Sequence, residues 1–241
     1  MSTSPISIDR DPRFSRRKEA STSILSRDYL VMQPLLAWMR DVAVRYCSGT
    51  MLDYGCGNRP YYELLRRHVQ QYLSADVMQN DEGTVDFIIG SDAALPLASG
   101  TCDTVLSTQV LEHTRLPDEY LREAARVLKP GGYLILTCPG SYMLHEVPYD
   151  YYRFTVHGLE YLLERNGLNV ANFSNAGGAW RVVGQSFLNH KAFGKRIPVL
   201  SKVMFLVWAL CTNLSCALLD TLNMNTHETL NYMVVAQKRH G

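Results

Sequence analysis

The chain has 241 residues, of which 46% are hydrophobic and 20% are charged, and its formal net charge is +1. This length suits one α/β domain with decorations. The near-neutral charge gives no reason to expect a nucleic-acid partner, because such proteins usually carry a basic face. The six cysteines include no C-x-x-C pair, and the first 20 residues lack the apolar core of a signal peptide. We therefore expect a reduced, cytoplasmic protein.

The N-terminal residues 1–28 are expected to form a tail, disordered up to about Arg13, ahead of a domain over 29–241. Between Tyr29 and Tyr46 apolar residues recur at helical spacing. This periodicity predicts a first helix that covers one face of a sheet.

The most informative segment is Met51–Gly57, which reads Met-Leu-Asp-Tyr-Gly-Cys-Gly. Its first residues read as the end of a buried strand, and Gly55 and Gly57 open a turn that lets the backbone approach a ligand closely. Asp76 ends a second apolar run, at a spacing where an acid can bind ribose hydroxyls. Pro60 stands where the dinucleotide motif G-x-G-x-x-G has its last glycine. This departure argues against NAD.

The rest of the chain alternates strand and helix patterns, which imply a parallel sheet. Thr155 is a plausible N-cap for a later helix. Lys129–Gly132, Lys-Pro-Gly-Gly, is expected to stop the helix before it, with glycine in a left-handed cap. The predicted strands are 52–54, 72–77, 87–89, 104–108, 133–138, 168–174 and 232–238, and the predicted helices include 61–69 and 117–128.

Four segments carry a family resemblance: Met51–Gly57, Ser91–Leu97, Cys102–His113 and Arg126–Leu136. In this order and spacing they resemble the class I S-adenosylmethionine-dependent methyltransferases, in the broad group of ubiquinone-type and small-molecule enzymes. The resemblance covers roughly Leu52 to Gly140. It implies a three-layer α/β/α Rossmann-like fold with about seven strands, an antiparallel last strand and S-adenosylmethionine as the cofactor.

The resemblance also implies cofactor contacts at the ends of the strands. The backbone at the glycines would meet the methionine part, and the acids would orient the ammonium group, bind the ribose diol and bond the adenine amino group. Asp76 could instead be a solvated acid, and Asp92 could simply cap a turn. The implied cofactor residues are Asp53, Gly55, Gly57, Asp76, Val77, Asp92, Ala93, Thr108 and Gln109.

The loop after the fifth predicted strand, His145–Thr155, combines ionisable and aromatic groups. It resembles a signature of bacterial methyltransferases that are often associated with sugar and cell-surface biosynthesis, and it should lie at the ligand-binding edge of the sheet. A hydroxyl acceptor would require a base, for which His145 and Asp150 are candidates. Arg153 and His113 complete the candidate catalytic set.

Two alternatives remain open for this loop. Asp150 and Arg153 could form an i,i+3 ion pair while the tyrosines pack a lid. No metal site is expected, because His145 and Glu146 are adjacent and no third ligand is spaced to join them.

A helical insertion is expected at about 176–230, before the last strand. Its part from Ile197 to Leu222 is apolar on almost every face, with Lys202, Asn213 and Asp220 on one narrow stripe. Such a helix is buried or contacts a membrane. Packing on its own domain or in a homodimer is narrowly favoured over a membrane-surface contact, and the segment is slightly short for a span.

The leading hypothesis is an S-adenosylmethionine-dependent enzyme that O-methylates a small molecule or glycan in a sugar, cell-surface or secondary-metabolite pathway. It would be cytoplasmic, with peripheral membrane attachment as a variant. Ser107–Val110 stands where enzymes that methylate nucleobase amino groups carry an Asn/Asp-Pro-Pro-Tyr motif, which disfavours that class. The alternatives are C- or N-methylation of a small or lipid-linked acceptor and a non-catalytic binding protein.

Overall fold

The computed structural model describes residues 17–90, 94–190, 198–222 and 227–240. Within these residues seven strands form one sheet, in the order β3-β2-β1-β4-β5-β7-β6. Parallel pairing runs from β3 to β5, whereas β7 is antiparallel to both β5 and β6, as predicted. The strands are β1 Thr50–Tyr54, β2 Gln71–Asp76, β3 Phe87–Ile88, β4 Cys102–Thr108, β5 Leu128–Pro139, β6 Leu168–Asn175 and β7 Asn231–Lys238.

Helices cover both faces of the sheet and give the predicted three layers. The first helix has the predicted bounds, whereas α2 is only four residues long within the predicted 61–69. Thr155 caps α4 by accepting a hydrogen bond from the amide of Gly158 at 3.1 Å, as predicted. The helices are α1 Tyr29–Tyr46, α2 Tyr62–Leu65, α3 Pro117–Val127, α4 Val156–Arg165, α5 Ala179–Asn189 and α6 Pro198–Leu222, with a one-turn 3₁₀ helix at Leu111–His113.

The two faces bury separate sets of side chains. One face packs Leu52 and Val105 against α3 and α4, through residues such as Leu121 and Leu159. The other face packs Met51 and its neighbours against α1. Because β1 and β4 are buried on both sides, their carboxyl ends are held rigidly at the edge where the polar residues gather.

Helix α3 stops just before Lys129–Gly132, but the predicted glycine cap is wrong, because Leu128 is the C-cap and β5 begins there. Leu128 is fully buried and pairs with Cys102, so the chain becomes extended directly after the helix. Gly131 does take a positive φ of 79°, but it lies within the strand, where the ladder shifts register. The glycine therefore accommodates an irregularity in the sheet and is not a helix cap.

The predicted insertion contains α5 and α6, which pack against each other and against α1. Two polar residues of α6, Asn213 and Asp220, face inward. Asn213 is fully buried and donates to the carbonyls of Ile24 and Ser26 at 2.6 and 3.0 Å. Asp220 is also buried and accepts from the amide of Gly178 at 3.0 Å. Helix α6 is thus docked through its polar stripe.

The opposite face of α6 is apolar and exposed. From Ser201 to Leu222 the helix is long and apolar enough to cross a membrane, although core helices of soluble proteins can pass the same test. Lys202, predicted on the polar stripe, is exposed at the start of the helix. The large exposed side chains of α6 are Val203, Met204, Leu206, Val207, Leu214, Leu218, Leu219 and Leu222.

The described part of the predicted N-terminal tail, residues 17–28, lies against the domain. The amide of Ala20 donates to the carbonyl of Pro60 at 3.0 Å, and Gln185 donates to the carbonyl of Arg27 at 3.0 Å. The predicted disorder up to Arg13 lies outside the described residues.

Candidate functional site

The turn after β1 is built for close backbone approach. Gly55 and Gly57 have positive φ angles of 85° and 52°, a region that side chains disfavour. A Cβ on Gly55 would lie 2.4 Å from a methyl carbon of Val110. The amides of Gly55 and Cys56 both donate to the carbonyl of Ala75, at 2.8 and 3.0 Å. Only glycine therefore fits at position 55.

Asp53 lies under this turn and is almost completely buried. Its Oδ2 accepts a hydrogen bond from the hydroxyl of Tyr72 at 2.5 Å, whereas its buried Oδ1 has no hydrogen-bond partner within the described residues. Burial raises the pKa of Asp53 to about 7, although the hydrogen bond from Tyr72 lowers it. A buried oxygen without a partner beside a glycine turn fits a ligand that supplies a donor.

Asp76 ends β2 beside the same turn. It is buried, and its Oδ2 accepts from the amide of Gly57 at 2.8 Å, so that it fixes the turn. Val77 follows it and is 43% exposed, as expected for a residue that could flank a ligand. Asp92 and Ala93, the predicted adenine contacts, lie outside the described residues.

A cavity of about 270 Å³ opens above the glycine turn. Four predicted cofactor residues line it: Gly55, Gly57, Thr108 and Gln109. Asp53, Asp76 and Val77 lie beside or beneath it and are not among its lining residues. The lining also includes residues that the sequence analysis missed, from α1 and the segment before it: Arg17, Asp28, Val31, Met32 and Leu35.

Gln109 has a backbone conformation that is rare for residues with a Cβ atom. Its φ is 54°, which costs about 1–2 kcal/mol for a non-glycine residue. Two hydrogen bonds to Thr137 hold it: the backbone amide donates to the carbonyl at 2.9 Å and Nε2 donates to Oγ1 at 3.1 Å. This strain lies at the cavity wall, where β4 ends.

The far wall of the cavity is formed by two histidines from distant parts of the chain. His113 ends the 3₁₀ helix after β4, and His145 comes from the loop after β5. Their rings meet edge to face with centroids 4.8 Å apart. The amides of Tyr151 and Tyr152 donate to the carbonyl of Glu112 at 2.9 and 3.3 Å, which fixes the loop over the 3₁₀ helix.

Glu112 lies between the two histidines and is fully buried. Its Oε1 is 3.8 Å from Nε2 of His113 and 3.7 Å from Nε2 of His145. Burial lowers the pKa of His145, but the carboxylates of Glu112 and Asp150 more than offset this, so that its pKa is raised. The sequence analysis weighed only His145 and its neighbour Glu146 as ligands, whereas the structure brings Glu112 and His113 to His145, with one ligand atom of each within 4.8 Å of the others.

Asp150 and Arg153 form the i,i+3 ion pair that was left open as an alternative. Both terminal guanidinium nitrogens of Arg153, Nη1 and Nη2, donate to the carboxylate of Asp150, at 2.6 and 2.7 Å. Oδ2 of Asp150 also accepts from the amide of His145 at 3.0 Å and lies 3.1 Å from its Nδ1. Neither residue lines the cavity, so the structure places them behind His145, as its support.

Residues 52–136 match the family model described as "Methyltransferase domain". This range contains the glycine turn, Asp76, Glu112 and His113. It ends before His145, so the match does not extend to the loop that completes the cavity wall.

Two of the curated relatives each match less than half of the chain. The ubiquinone biosynthesis O-methyltransferase of Parvibaculum lavamentivorans is 29% identical over 124 residues, which are 46% of this chain and 46% of that protein. A probable S-adenosylmethionine-dependent methyltransferase of Mycolicibacterium smegmatis is 30% identical over 119 residues, 42% and 45% of the two chains. The chain thus spans about half the length of the curated relatives it matches.

Among solved structures, the [4+2]-cyclase SpnF superposes with a TM-score of 0.55 at 19% identity, over 87% of this chain and 83% of that one. At this identity the likeness shows the fold alone.

Proposed function

We propose that the chain, whose residues 52–136 match a methyltransferase domain, is a class I S-adenosylmethionine-dependent enzyme that transfers the methyl group of S-adenosylmethionine to a hydroxyl of a small molecule or glycan. The observation that supports this is the cavity itself. It joins the glycine turn at one end to His113 and His145 at the other. A methyl donor and an acceptor could therefore meet within it.

The cofactor is S-adenosylmethionine, and the residues of the turn fit it. Gly55 and Gly57 give the backbone access that the methionine part needs, and Asp53 has a free buried oxygen beneath them for a donor. Asp76 lies at the end of β2, and the acid that binds ribose in Rossmann-like sites occupies a similar position. Thr108 and Gln109 would border the methionine end.

Methyl transfer needs alignment more than activation. The acceptor oxygen attacks the methyl carbon, a carbon–oxygen bond forms as the carbon–sulfur bond breaks, and S-adenosylhomocysteine leaves. Holding the two reactants in line can lower the barrier by about 7–11 kcal/mol. The hydroxyl proton must also be lost, and His113 and His145, which border the cavity with Glu112 buried between them, are the candidate proton acceptors.

A carbon or amine acceptor, or a protein that binds the cofactor without catalysis, would use the same turn. The proton-accepting wall favours a hydroxyl, because a neutral amine can attack before it loses a proton. The fold alone does not decide between these cases, since the similar SpnF structure is described as a cyclase.

We further propose that the outer face of α6 rests on a membrane surface. The helix is docked by Asn213 and Asp220, so its apolar side chains are left outward, an unusual patch for a monomer. Phe187 of α5 is also exposed. In the sequence, Lys191, Lys195 and Arg196 precede α6, and basic residues near an apolar segment are typical of sequences that bind anionic lipid. A cytoplasmic enzyme at this surface could reach a lipid-linked glycan.

Cofactor binding is tested by calorimetry with S-adenosylmethionine and S-adenosylhomocysteine. We expect micromolar affinity, weakened by about 1–3 kcal/mol in Asp76→Ala, because hydrogen bonds to a charged group are lost. Asp81→Ala, which removes an exposed acid nearby, should bind as the wild type does. Absence of wild-type binding would contradict the assignment of the site.

Methyl transfer is tested with methyl-labelled S-adenosylmethionine and a library of hydroxyl, amine and activated-carbon acceptors, including lipid-linked sugars. Label should pass to a hydroxyl compound. Transfer only to nitrogen or carbon would contradict O-methylation, and tight cofactor binding with no transfer to any acceptor would support a non-catalytic protein.

Membrane contact is tested by flotation with liposomes that contain anionic lipid. Leu218→Glu, on the exposed face of α6, should abolish flotation, whereas Tyr161→Glu on α4 should not, although Tyr161 is similarly exposed. A soluble dimer that Leu218→Glu dissociates, with no flotation of the wild type, would assign this face to a second copy of the chain instead.

A further inference from the structure

The carboxylate of Glu112 is the least compensated acid among the described residues. It is fully buried, and both of its oxygens lack a hydrogen-bond partner within the part of the chain described. The nearest nitrogens, Nε2 of His113 and of His145, lie 3.8 and 3.7 Å away, too far for a formed hydrogen bond. Burying a carboxylate costs several kcal/mol unless it is paired or coordinates a metal.

Both imidazoles are oriented so that the same nitrogen faces this carboxylate. Nδ1 of His113 lies 3.0 Å from the carbonyl of Tyr149, to which it donates. Nδ1 of His145 lies 3.1 Å from Oδ2 of Asp150. Histidines that bind metals usually donate their second nitrogen to a carbonyl or a carboxylate in this way, which fixes the tautomer and leaves Nε2 for the ion.

We propose that Glu112, His113 and His145 bind a divalent transition-metal ion such as Zn²⁺. Their ligand atoms already lie within 4.8 Å of one another. In a tetrahedral zinc site with bonds of about 2.0–2.2 Å the ligand atoms are about 3.4 Å apart. The three side chains would therefore close by about 1.4 Å at most, which small side-chain rotations provide.

The donor set selects the class of cation. Two imidazoles and one carboxylate suit Zn²⁺ and its neighbours in the first transition row, whereas Mg²⁺ and Ca²⁺ prefer sites built of oxygen alone. Three protein ligands also leave at least one position open, as in catalytic zinc sites. His113 and His145 line the cavity, so that the open position would face it.

The role of the ion rests on the proposed function, although its binding does not. With these three side chains bound to the ion, water and not a histidine would take the proton of an acceptor hydroxyl at the open position, because a bound cation lowers the pKa of an oxygen ligand. The alkoxide would then attack the methyl carbon, and S-adenosylhomocysteine would leave. Asp150 and Arg153 would act as positioning residues for His145.

In the alternative to a metal ion, a proton on His145 compensates the buried carboxylate of Glu112. An imidazolium at His145 could face Glu112 and Asp150 as a plain ion-pair network, with no metal ion. The two cases differ in what the protein binds, so a metal titration distinguishes them directly.

The test uses the full-length protein, untagged and stripped of metal, titrated with Zn²⁺ by calorimetry and with Co²⁺ by visible absorption. We expect one equivalent to bind at micromolar concentration or below, with a cobalt d–d band, and Mg²⁺ to bind at least about tenfold more weakly. Glu112→Gln and His145→Ala should each weaken Zn²⁺ binding by about 100-fold or more, and Asp150→Asn by about 10–100-fold. His157→Ala removes an exposed histidine and should change nothing.

Titration of S-adenosylhomocysteine into each variant reports that it is folded. If Glu112→Gln does not fold, His113→Ala and His145→Ala decide the test. Absence of stoichiometric Zn²⁺ and Co²⁺ binding, or binding that survives these variants, would overturn the proposal. Metal binding without cofactor binding would contradict the proposed function alone, and cofactor binding without metal binding would contradict the metal site alone.

Discussion

Asp53 and Tyr72 face each other across β1 and β2, and the phenolic hydroxyl donates a short hydrogen bond to the buried carboxyl group. This hydrogen bond is the main interaction that lowers the pKa of Asp53, which burial nevertheless raises from 3.8 to about 7. The acid lies under the glycine turn, so its protonation is tied to both stability and the site.

The protonation of Asp53 predicts a dependence of stability on pH. Between about pH 4 and 7 the unfolded chain has released this proton and the folded protein retains it, so stability falls as the pH rises and levels off above 7. The difference of roughly three pKa units corresponds to about 4 kcal/mol as an upper figure. Asp53→Asn, which keeps an acceptor for Tyr72, should remove this slope in urea unfolding, whereas Asp81→Asn should not. Parallel slopes in wild type and Asp53→Asn would contradict the assignment.

Gly55→Ala should destabilise the protein and weaken cofactor binding. The added methyl group would lie 2.4 Å from Val110, at a φ of 85°. Gly100→Ala is the matched control, because Gly100 has a φ of 68° with nothing within 4 Å of its added Cβ. We expect the control to cost about 1–2 kcal/mol for its backbone strain and Gly55→Ala a further 1–3 kcal/mol for overpacking. Equal losses in urea unfolding would show that the clash with Val110 is relieved.

Arg153→Ala should destabilise the loop after β5. It leaves the buried carboxylate of Asp150 without its bidentate partner, a loss of about 2–3 kcal/mol. Arg45→Ala removes the exposed pair with Asp41 and should cost less than about 1 kcal/mol. Limited proteolysis between β5 and α4 should follow the same order. Similar unfolding energies for the two variants would mean that the pair does not hold the loop.

Asp220→Ala should loosen α6 from α5. The carboxylate accepts from the amide of Gly178 and lies 3.3 Å from Nε of the buried Arg181, so its removal leaves a buried cation without its partner. We expect a cost of about 3–5 kcal/mol in thermal or urea unfolding. Leu218→Ala, at an exposed site on the same helix, should change stability by no more than about 0.5 kcal/mol. The reverse order would mean that the apolar face is the packed one.

Much of the fold could be predicted from local signals. The apolar period of α1, the side-chain cap of Thr155 and the alternation of strands and helices each depend on neighbouring residues. The start of β5 could not be predicted from local signals. It is decided by the pairing of Leu128 with Cys102, which lies on another strand. The inward orientation of Asn213 likewise depends on carbonyls almost 190 residues away.

The residues of the candidate site likewise fall into those that a local motif predicts and those that only the fold brings together. The glycine turn and Asp76 follow from a compact motif and its spacing. The meeting of Glu112 and His145 depends on the path of a loop that Tyr151 and Tyr152 fasten to the carbonyl of Glu112, and no local pattern encodes that path. The motif therefore predicted the glycine-turn end of the cavity more completely than the histidine end.

The segment before α1 contacts helix α6 and also contributes to the cavity wall. Asn213 of α6 holds the carbonyls of Ile24 and Ser26, while Arg17 and Asp28 of the same segment border the cavity. If binding at the outer face shifts α6, Asn213 would pass part of that shift to this section of the cavity wall. Occupancy of the outer face and occupancy of the cavity would then be energetically coupled, and such a coupling is reciprocal. Docking of α6 would tune the affinity for the cofactor, and a bound cofactor would tune the docking by the same factor.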